Sequence, residues 1–250
     1  LAGMGGGAMA LAGMSSAIPA DRRNDSRPNI LVILSDDAGF ADFGFQGSVQ
    51  FRTPRIDSIA RNGVRFTDGY VSASVCSPTR AGLLTGRYQQ RFGHEYNLPR
   101  RPEPGDSKEW FGMSTDETTI ADQLSKAGYT TGAIGKWHLG YEDKFHPLNR
   151  GFDEFYGFIG GSCHYYPRKK PPIVRGRKEV EPSDYLTDDF GREACSFIER
   201  HRQEPFFLYL APNAVHGPME ATPEDEARFS NLGKKRRTLA GMTWALDRMV

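Results

Sequence analysis

The apolar positions of this chain gather into short unbroken runs with amphipathic stretches between them. Residues 29–35 and 205–212 carry the densest runs, centred on Ile30 to Leu34 and Phe206 to Ala211. Runs of that length, rich in β-branched or aromatic side chains, predict strands buried on both faces, as in a parallel sheet. Residues 129–134 predict a further strand, and Val64, Arg65 and Phe66 a very short one. The stretches between have helical spacing. Residues 55–62 predict a short helix closed by Gly63. Ser114 or Thr115 can cap a helix running to about Ala127, with Ile120, Leu124 and Ala127 on one face and Gly128 after it. Thr187 can cap a helix from Asp188 to about Arg202, with Phe190, Ala194, Phe197 and Ile198 as its apolar side. Leu239, Met242, Leu246 and Met249 mark a final amphipathic helix. Residues 166–183 predict an exposed hairpin turning near Arg175, Gly176 and Arg177, and residues 98–110 a Pro- and Arg-rich loop. Strands alternating with helices predict an α/β fold, a central, largely parallel mixed sheet sandwiched by helices.

One stretch organises the chemistry, Val75-Cys76-Ser77-Pro78-Thr79-Arg80 followed by Leu84-Thr85-Gly86-Arg87. Pro78 suits the first turn of a helix, because its φ is preset and it needs no N–H partner there. Gly86 is a natural stop. Cys76 then sits at or just before a helix N-terminus, where unpaired N–H groups favour negative charge. Arg80, one turn on, can reach back toward it. The residues alone leave Cys76 open as a buried structural thiol or as a thiolate nucleophile activated by its surroundings.

The predicted strands end in polar residues. Asp36 and Asp37 follow the first run, Lys136 and His138 the strand after Gly128, and His216 the run ending at Pro212. Ligands in open α/β sheets bind beyond the carboxyl ends of strands, so these positions converge on one candidate site. Two adjacent carboxylates repel unless a cation sits between them, and hard oxygen donors favour Ca²⁺ or Mg²⁺ over Zn²⁺. An ordinary turn or cap also accounts for an isolated Asp pair. Lys136 and His138, two apart, face the same way if the strand persists, and can meet one anion. His94 and His164, each in a predicted loop, are candidates for substrate contact.

Composition narrows the classes. The chain has 250 residues and a formal net charge of +1, so no global field points to nucleic acid or an anionic membrane. Basic runs do occur, at Arg168-Lys169-Lys170 and at Lys234-Lys235-Arg236-Arg237. They read as solvated faces or as a rim that attracts a polyanion. Three cysteines are too few for a disulfide scaffold, although Cys163 and Cys195 could pair. No run is long and apolar enough to span a membrane stably. Residues 1–20, uncharged and rich in Ala, Gly and Met, resemble the remnant of a signal peptide, with residues 21–28 as a polar linker. This predicts export, to the periplasm or outside the cell.

The Cys76 stretch, Cys-x-Pro-x-Arg followed by Leu-Thr-Gly-Arg, resembles the signature of the formylglycine-dependent sulfatases, on their arylsulfatase and N-acetylgalactosamine-6-sulfatase side. Gly135-Lys136-Trp137-His138-Leu139-Gly140 is similar to a second block of that family, and Ala211-Pro212-Asn213 through His216-Gly217-Pro218 to a third. The resemblance covers nearly all of residues 29–250 and implies the N-terminal part of a catalytic domain with an alkaline-phosphatase-like fold. It implies that Cys76 is oxidised to formylglycine by a formylglycine-generating enzyme. The hydrated aldehyde then attacks a sulfate ester, and its second oxygen lets sulfate leave. It implies that Asp36 and Asp37 bind Ca²⁺, or Mg²⁺, together with residue 76. Arg80 stabilises the hydrate, Lys136 and His216 contact the sulfate, and His138 holds the nucleophile or helps break down the sulfated intermediate. The family pattern continues past Val250 with a further metal-binding pair, another Lys and a smaller subdomain. The 250 residues are therefore expected to hold an incomplete metal shell and to show little activity by themselves. The substrates implied are sulfated carbohydrates or aryl sulfates. The rival readings are a formylglycine-dependent phosphonate or phosphate monoester hydrolase and a non-catalytic binder of sulfated glycans.

Overall fold

The computed structural model describes residues 27–98, 111–167 and 171–250. The predicted signal-peptide remnant at residues 1–20, most of the predicted linker at 21–28, nearly all of the predicted loop at 98–110 and the run Arg168-Lys169-Lys170 lie outside the described residues.

A six-stranded sheet runs through the molecule. Its strands are β1 (Ile30–Ile33), β2 (Thr130–Lys136), β3 (Glu154–Phe158), β4 (Ile173–Arg175), β5 (Lys178–Val180) and β6 (Phe206–Ala211). Their order is β1-β6-β2-β3-β4-β5. The first four in that order are parallel, and the β4–β5 hairpin adds antiparallel to β3. The sheet is thus mixed and mostly parallel, as the alternation of runs predicts.

The apolar run in β6 shows why no polar face is needed. Phe206, Leu208 and Leu210 join one core with Phe190, Ala194 and Phe197 of α4 (Leu186–His201). Phe207, Tyr209 and Ala211 join the opposite core with Ala81 and Leu84 of α2 (Cys76–Thr85) and Ala121 of α3 (Ile120–Lys126). Successive residues point to opposite faces, so a strand with helices on both sides must be apolar throughout. Gly132 in β2 lets Phe197 lie against the sheet, since a Cβ there would come within 2.5 Å of its ring. Helix α6 (Lys234–Met249) packs against α4, against α5 (Pro223–Ala227) and against α1 (Pro54–Asn62). Asp247 near its end accepts the Arg55 and Ile56 N–H groups and so caps the start of α1.

Several expectations need correction. Val64 and Phe66 form no strand and are 80% and 81% exposed, because no neighbouring strand supplies a ladder for so short a run. β1 is not buried on both faces; it lies at a sheet edge, with Leu31 44% exposed. Helix α3 begins later than Ser114 suggests. Thr119 caps it, with Asp122 completing a reciprocal capping box. Thr187 lies inside α4, buried, and caps nothing. All three cysteines are free, so Cys163 and Cys195 do not pair. Among the described residues no helix is long and apolar enough to cross a membrane.

Candidate active site

The carboxyl ends of β1, β2 and β6 meet the N-terminus of α2. Cys76 is the first residue of that helix, and Gly86, with a left-handed φ of 65°, ends it. The end of β1 is tied to the loop after β6 by Asp36 N–H to the Ala214 carbonyl at 2.9 Å and Val215 N–H to the Asp36 carbonyl at 2.7 Å. These bonds place Asp36 and Asp37 opposite His216.

Asp36 is the centre of a buried ionic cluster. Its Oδ2 accepts from Lys136 Nζ at 2.6 Å, and its Oδ1 lies 3.3 Å from Arg80 Nη2. The side chains of Lys136, Arg80 and Asp36 are 0%, 1% and 5% exposed. Burial alone would raise the pKa of Asp36, but Arg80 and then Lys136 together hold it below the ordinary carboxylate range. Arg80 Nη1 also donates to the Lys136 carbonyl at 2.8 Å and to the Tyr209 hydroxyl at 3.2 Å. Arg80 therefore reaches Asp36 and the end of β2 as well as the Cys76 neighbourhood. Two buried cations face one buried carboxylate. The excess positive charge, in a low-dielectric wall, favours a further anion.

The open side of the site is different. Asp37 is 57% exposed and His216 24% exposed, with His216 Nε2 3.6 Å from Asp37 Oδ2. Cys76 Sγ lies 4.0 Å from Asp37 Oδ1. His216 Nδ1 is 2.6 Å from the Gly217 carbonyl, which can only accept, so Nδ1 carries the hydrogen and Nε2 faces Asp37. Its pKa is raised, first by its hydrogen bond to Cys76, while burial opposes. Donor atoms of Asp36, Cys76 and His216 lie within 4.8 Å of one another. With Asp37 beside them, this set combines two hard carboxylates with one imidazole and the Cys76 sulfur. It fits a divalent cation, although Lys136 and Arg80 already engage both Asp36 oxygens.

Lys136 and His138 do not continue one strand. β2 stops at Lys136, and His138 has a left-handed φ of 57°. Asp37, at φ 58°, is the other described non-glycine residue with a positive φ. Such conformations cost on the order of 1–3 kcal/mol each and concentrate at functional sites. The His138 ring lies against Gly161, where a Cβ would come within 2.6 Å of it. Burial pushes the pKa of His138 down to about 4, helped by Lys136, so the ring is neutral at pH 7. His94 is also buried, and burial pushes it down to about 4. Its Nε2 lies 2.7 Å from Ser77 Oγ, inside the wall rather than in the opening. His164 is on the rim. Its Nδ1 is 3.0 Å from Glu220 Oε1, and Glu220 Oε2 accepts the Tyr165 N–H at 2.8 Å.

Sequence reasoning missed Tyr209, Tyr165 and Asn213. Tyr209 is the one hydroxyl inside an otherwise apolar strand, and a buried hydroxyl needs a partner. That was its available signal. Tyr165, fully buried, donates toward the carbonyls of Asn213 and His216 and holds their loop. Asn213 Nδ2 donates to the Cys163 carbonyl. Nothing in local spacing marks these last two.

Fold and site together define an α/β protein with a buried Arg80–Asp36–Lys136 cluster at the carboxyl ends of its strands. The family model described as Sulfatase matches residues 28–250, and the chain belongs to the sulfatase family. It is 38% identical over 217 residues to N-acetylgalactosamine-6-sulfatase of Mus musculus, covering 78% of this chain and 41% of that protein. It is 33% identical to arylsulfatase J of Mus musculus over 239 residues, covering 90% of this chain and 39% of that protein. The chain therefore spans well under half the length of these relatives. Among solved structures, Ps i-CgsB in complex with k-i-k-neocarrahexaose superposes with a TM-score of 0.83 at 42% identity, over 89% of this chain and 53% of that one. A protein in complex with its substrate D-glucosamine-2-N,6-O-disulfate superposes with a TM-score of 0.69 at 29% identity, over 82% of this chain and 38% of that one. An alkaline phosphatase superfamily protein of Vibrio parahaemolyticus, 19% identical with a TM-score of 0.54, shares the fold.

Proposed function

We propose that the protein hydrolyses sulfate esters on sulfated carbohydrates, with Cys76 matured to formylglycine. The observation that carries this reading is the buried excess of positive charge around Asp36, next to a helix N-terminus that presents residue 76. Sulfated sugars as substrates are supported by the D-glucosamine-2-N,6-O-disulfate complex of the similar structure.

At position 76 a hydrated formylglycine would supply a nucleophilic hydroxyl and a second hydroxyl from which sulfate could later be expelled. Asp36, Asp37 and the oxygen replacing the Cys76 sulfur would hold a divalent cation, Ca²⁺ or Mg²⁺, which lowers a hydroxyl pKa and polarises a sulfate oxygen. The protein's own groups do the rest. Lys136 and Arg80 oppose the charge that grows on the sulfate oxygens, and being buried they need little reorganisation. His216, with Nδ1 fixed on Gly217, directs Nε2 at the same opening and holds the sulfate. His138 stays neutral and holds the nucleophile. His164, braced by Glu220, contacts the sugar beyond the sulfate. Export and maturation by a formylglycine-generating enzyme belong to the same reading.

The test uses full-length protein coexpressed with a maturation enzyme. Mass spectrometry of the peptide carrying residue 76 reports thiol or aldehyde. Turnover is then compared on aryl sulfate, sulfated oligosaccharide, phosphate monoester and phosphonate, before and after chelation. Sulfate release that needs both the aldehyde and the cation is expected. Faster turnover of the phosphorus esters would replace this reading with a phosphohydrolase. Glycan binding without turnover, unchanged in Cys76→Ala, would replace it with a binding protein.

A further inference from the structure

The segment from Gly93 to Leu98 touches both the helix that presents Cys76 and the ring of His138. Val75, the N-cap of α2, has no side chain able to accept a hydrogen bond. Pro78 has no N–H, and Thr79 N–H reaches the Val75 carbonyl at 3.3 Å. Of the first-turn N–H groups still without a helical acceptor, those of Cys76 and Ser77, the second donates to Asn97 Oδ1 at 2.8 Å. Asn97 thus does from across a loop what a local Ser or Asp does at a helix start.

Two further contacts come from the same segment. His94 Nε2 is 2.7 Å from Ser77 Oγ, and that hydroxyl donates to the His138 carbonyl, also at 2.7 Å. The residue after the nucleophile is thereby tied to a residue just past the end of β2. The Leu98 carbonyl is 3.2 Å from His138 Nε2. A carbonyl only accepts, so Nε2 carries the hydrogen of this neutral ring. Nδ1 is left as a bare acceptor, buried and without a partner among the described residues. An unpaired buried acceptor is destabilising, and a hydroxyl arriving in the site would relieve it.

We propose that the 93–98 segment is a positioning brace, with Asn97 setting the Cys76 end of α2 and the Leu98 carbonyl selecting the His138 tautomer that leaves Nδ1 free. Asn97, His94 and Leu98 are positioning residues; none is assigned a contact with substrate. The geometry stands by itself, and only the kinetic part of its test rests on the sulfatase reading. Outer groups that orient a functional side chain typically matter by about 10–100-fold in activity.

The experiment is ¹⁵N NMR of histidine-labelled, full-length protein, with His138 assigned through His138→Gln, joined to kinetics on aryl sulfate. The wild type should show His138 neutral at pH 7 with its hydrogen on Nε2. Asn97→Ala should mix the tautomers and lower kcat by about tenfold, with KM within about twofold. Asn97→Asp, which keeps an acceptor of the same shape, should recover kcat to within about threefold of wild type. A wild-type His138 with its hydrogen on Nδ1 overturns the brace, and this measurement holds even if Asn97→Ala does not fold. So does a folded Asn97→Ala with unchanged tautomer and kcat, or an Asp variant as slow as Ala. Absence of any sulfate hydrolysis would instead overturn the functional reading, while the tautomer seen by NMR would still decide for or against the brace.

Discussion

Asp36 and Asp37 are neighbours in the chain and sit in opposite halves of the site. Asp36 is sealed against Arg80 and Lys136, whose positions are set by helix α2, packed on one face of the sheet, and by strand β2 within it. Asp37 stands in the opening with Cys76 and His216, held by loop geometry and a left-handed backbone. The buried half works by fixed charge and is inseparable from the stability of the fold. The open half works by access and can be changed with little structural cost. Such a division is physically economical, because desolvated charges act strongly only where they cannot relax, whereas a nucleophile must meet its substrate.

Cys76→Ala in the full-length protein probes the open half most severely. Turnover should fall by about 10⁴-fold or more, while the free energy of unfolding moves by less than about 0.5 kcal/mol. Asp36→Asn probes the buried half. It leaves Arg80 and Lys136 without their carboxylate, and should cost about 3–5 kcal/mol in urea unfolding together with most of the activity. Equal stability losses from the two substitutions would break the comparison.

Acid should expose the buried half next. His94 and His138 are both held down to about 4 from an ordinary value of 6.5. Between these values the unfolded chain binds more protons than the folded one. The contribution of these two rings to stability must therefore fall as pH drops from about 6.5 toward about 4, by up to about 1.4 kcal/mol per pH unit for each ring. Asp36 adds its own loss only at lower pH, because its lowered pKa lies below the unfolded value of 3.8. Urea melts at pH 7, 6 and 5 measure the slope, and His94→Gln should make it less steep than in the wild type, because the raised His201 and His216 act in both proteins alike. An identical pH dependence in the two proteins would show that His94 is not held neutral. The smallest effect expected is that of Tyr209→Phe. It removes one acceptor from Arg80 and should cost about 1 kcal/mol, or about fivefold in kcat/KM if all of it is felt in the transition state.

Much of this was legible in the chain because local rules and tertiary need coincide. The run that became β6 is almost entirely apolar because helices cover both faces of the sheet. Pro78 in the first turn and Gly86 just past the end mark α2 for local reasons, a preset φ without an N–H and a left-handed φ. Val64 to Phe66 failed for the complementary reason, since a strand exists only with a neighbour and spacing carries no record of one. Lys136 and His138 looked paired along a strand, yet the strand stops and the second residue turns into a left-handed conformation that periodicity cannot show.

By itself, the sequence determined the α/β alternation, the placing of Cys76 at the start of a helix, and the gathering of Asp36, Lys136 and His216 at strand ends. These follow from dihedral preferences and side-chain alternation, which act over a few residues. Tertiary structure alone decided that Lys136 and Arg80 share Asp36, that Tyr209 completes the hold on Arg80, and that His94 faces Ser77 inside the wall. Partners such as Asp36 and Lys136 lie far apart in the chain, and burial makes each pairing strong. Both properties come into being only when the sheet and its helices close together.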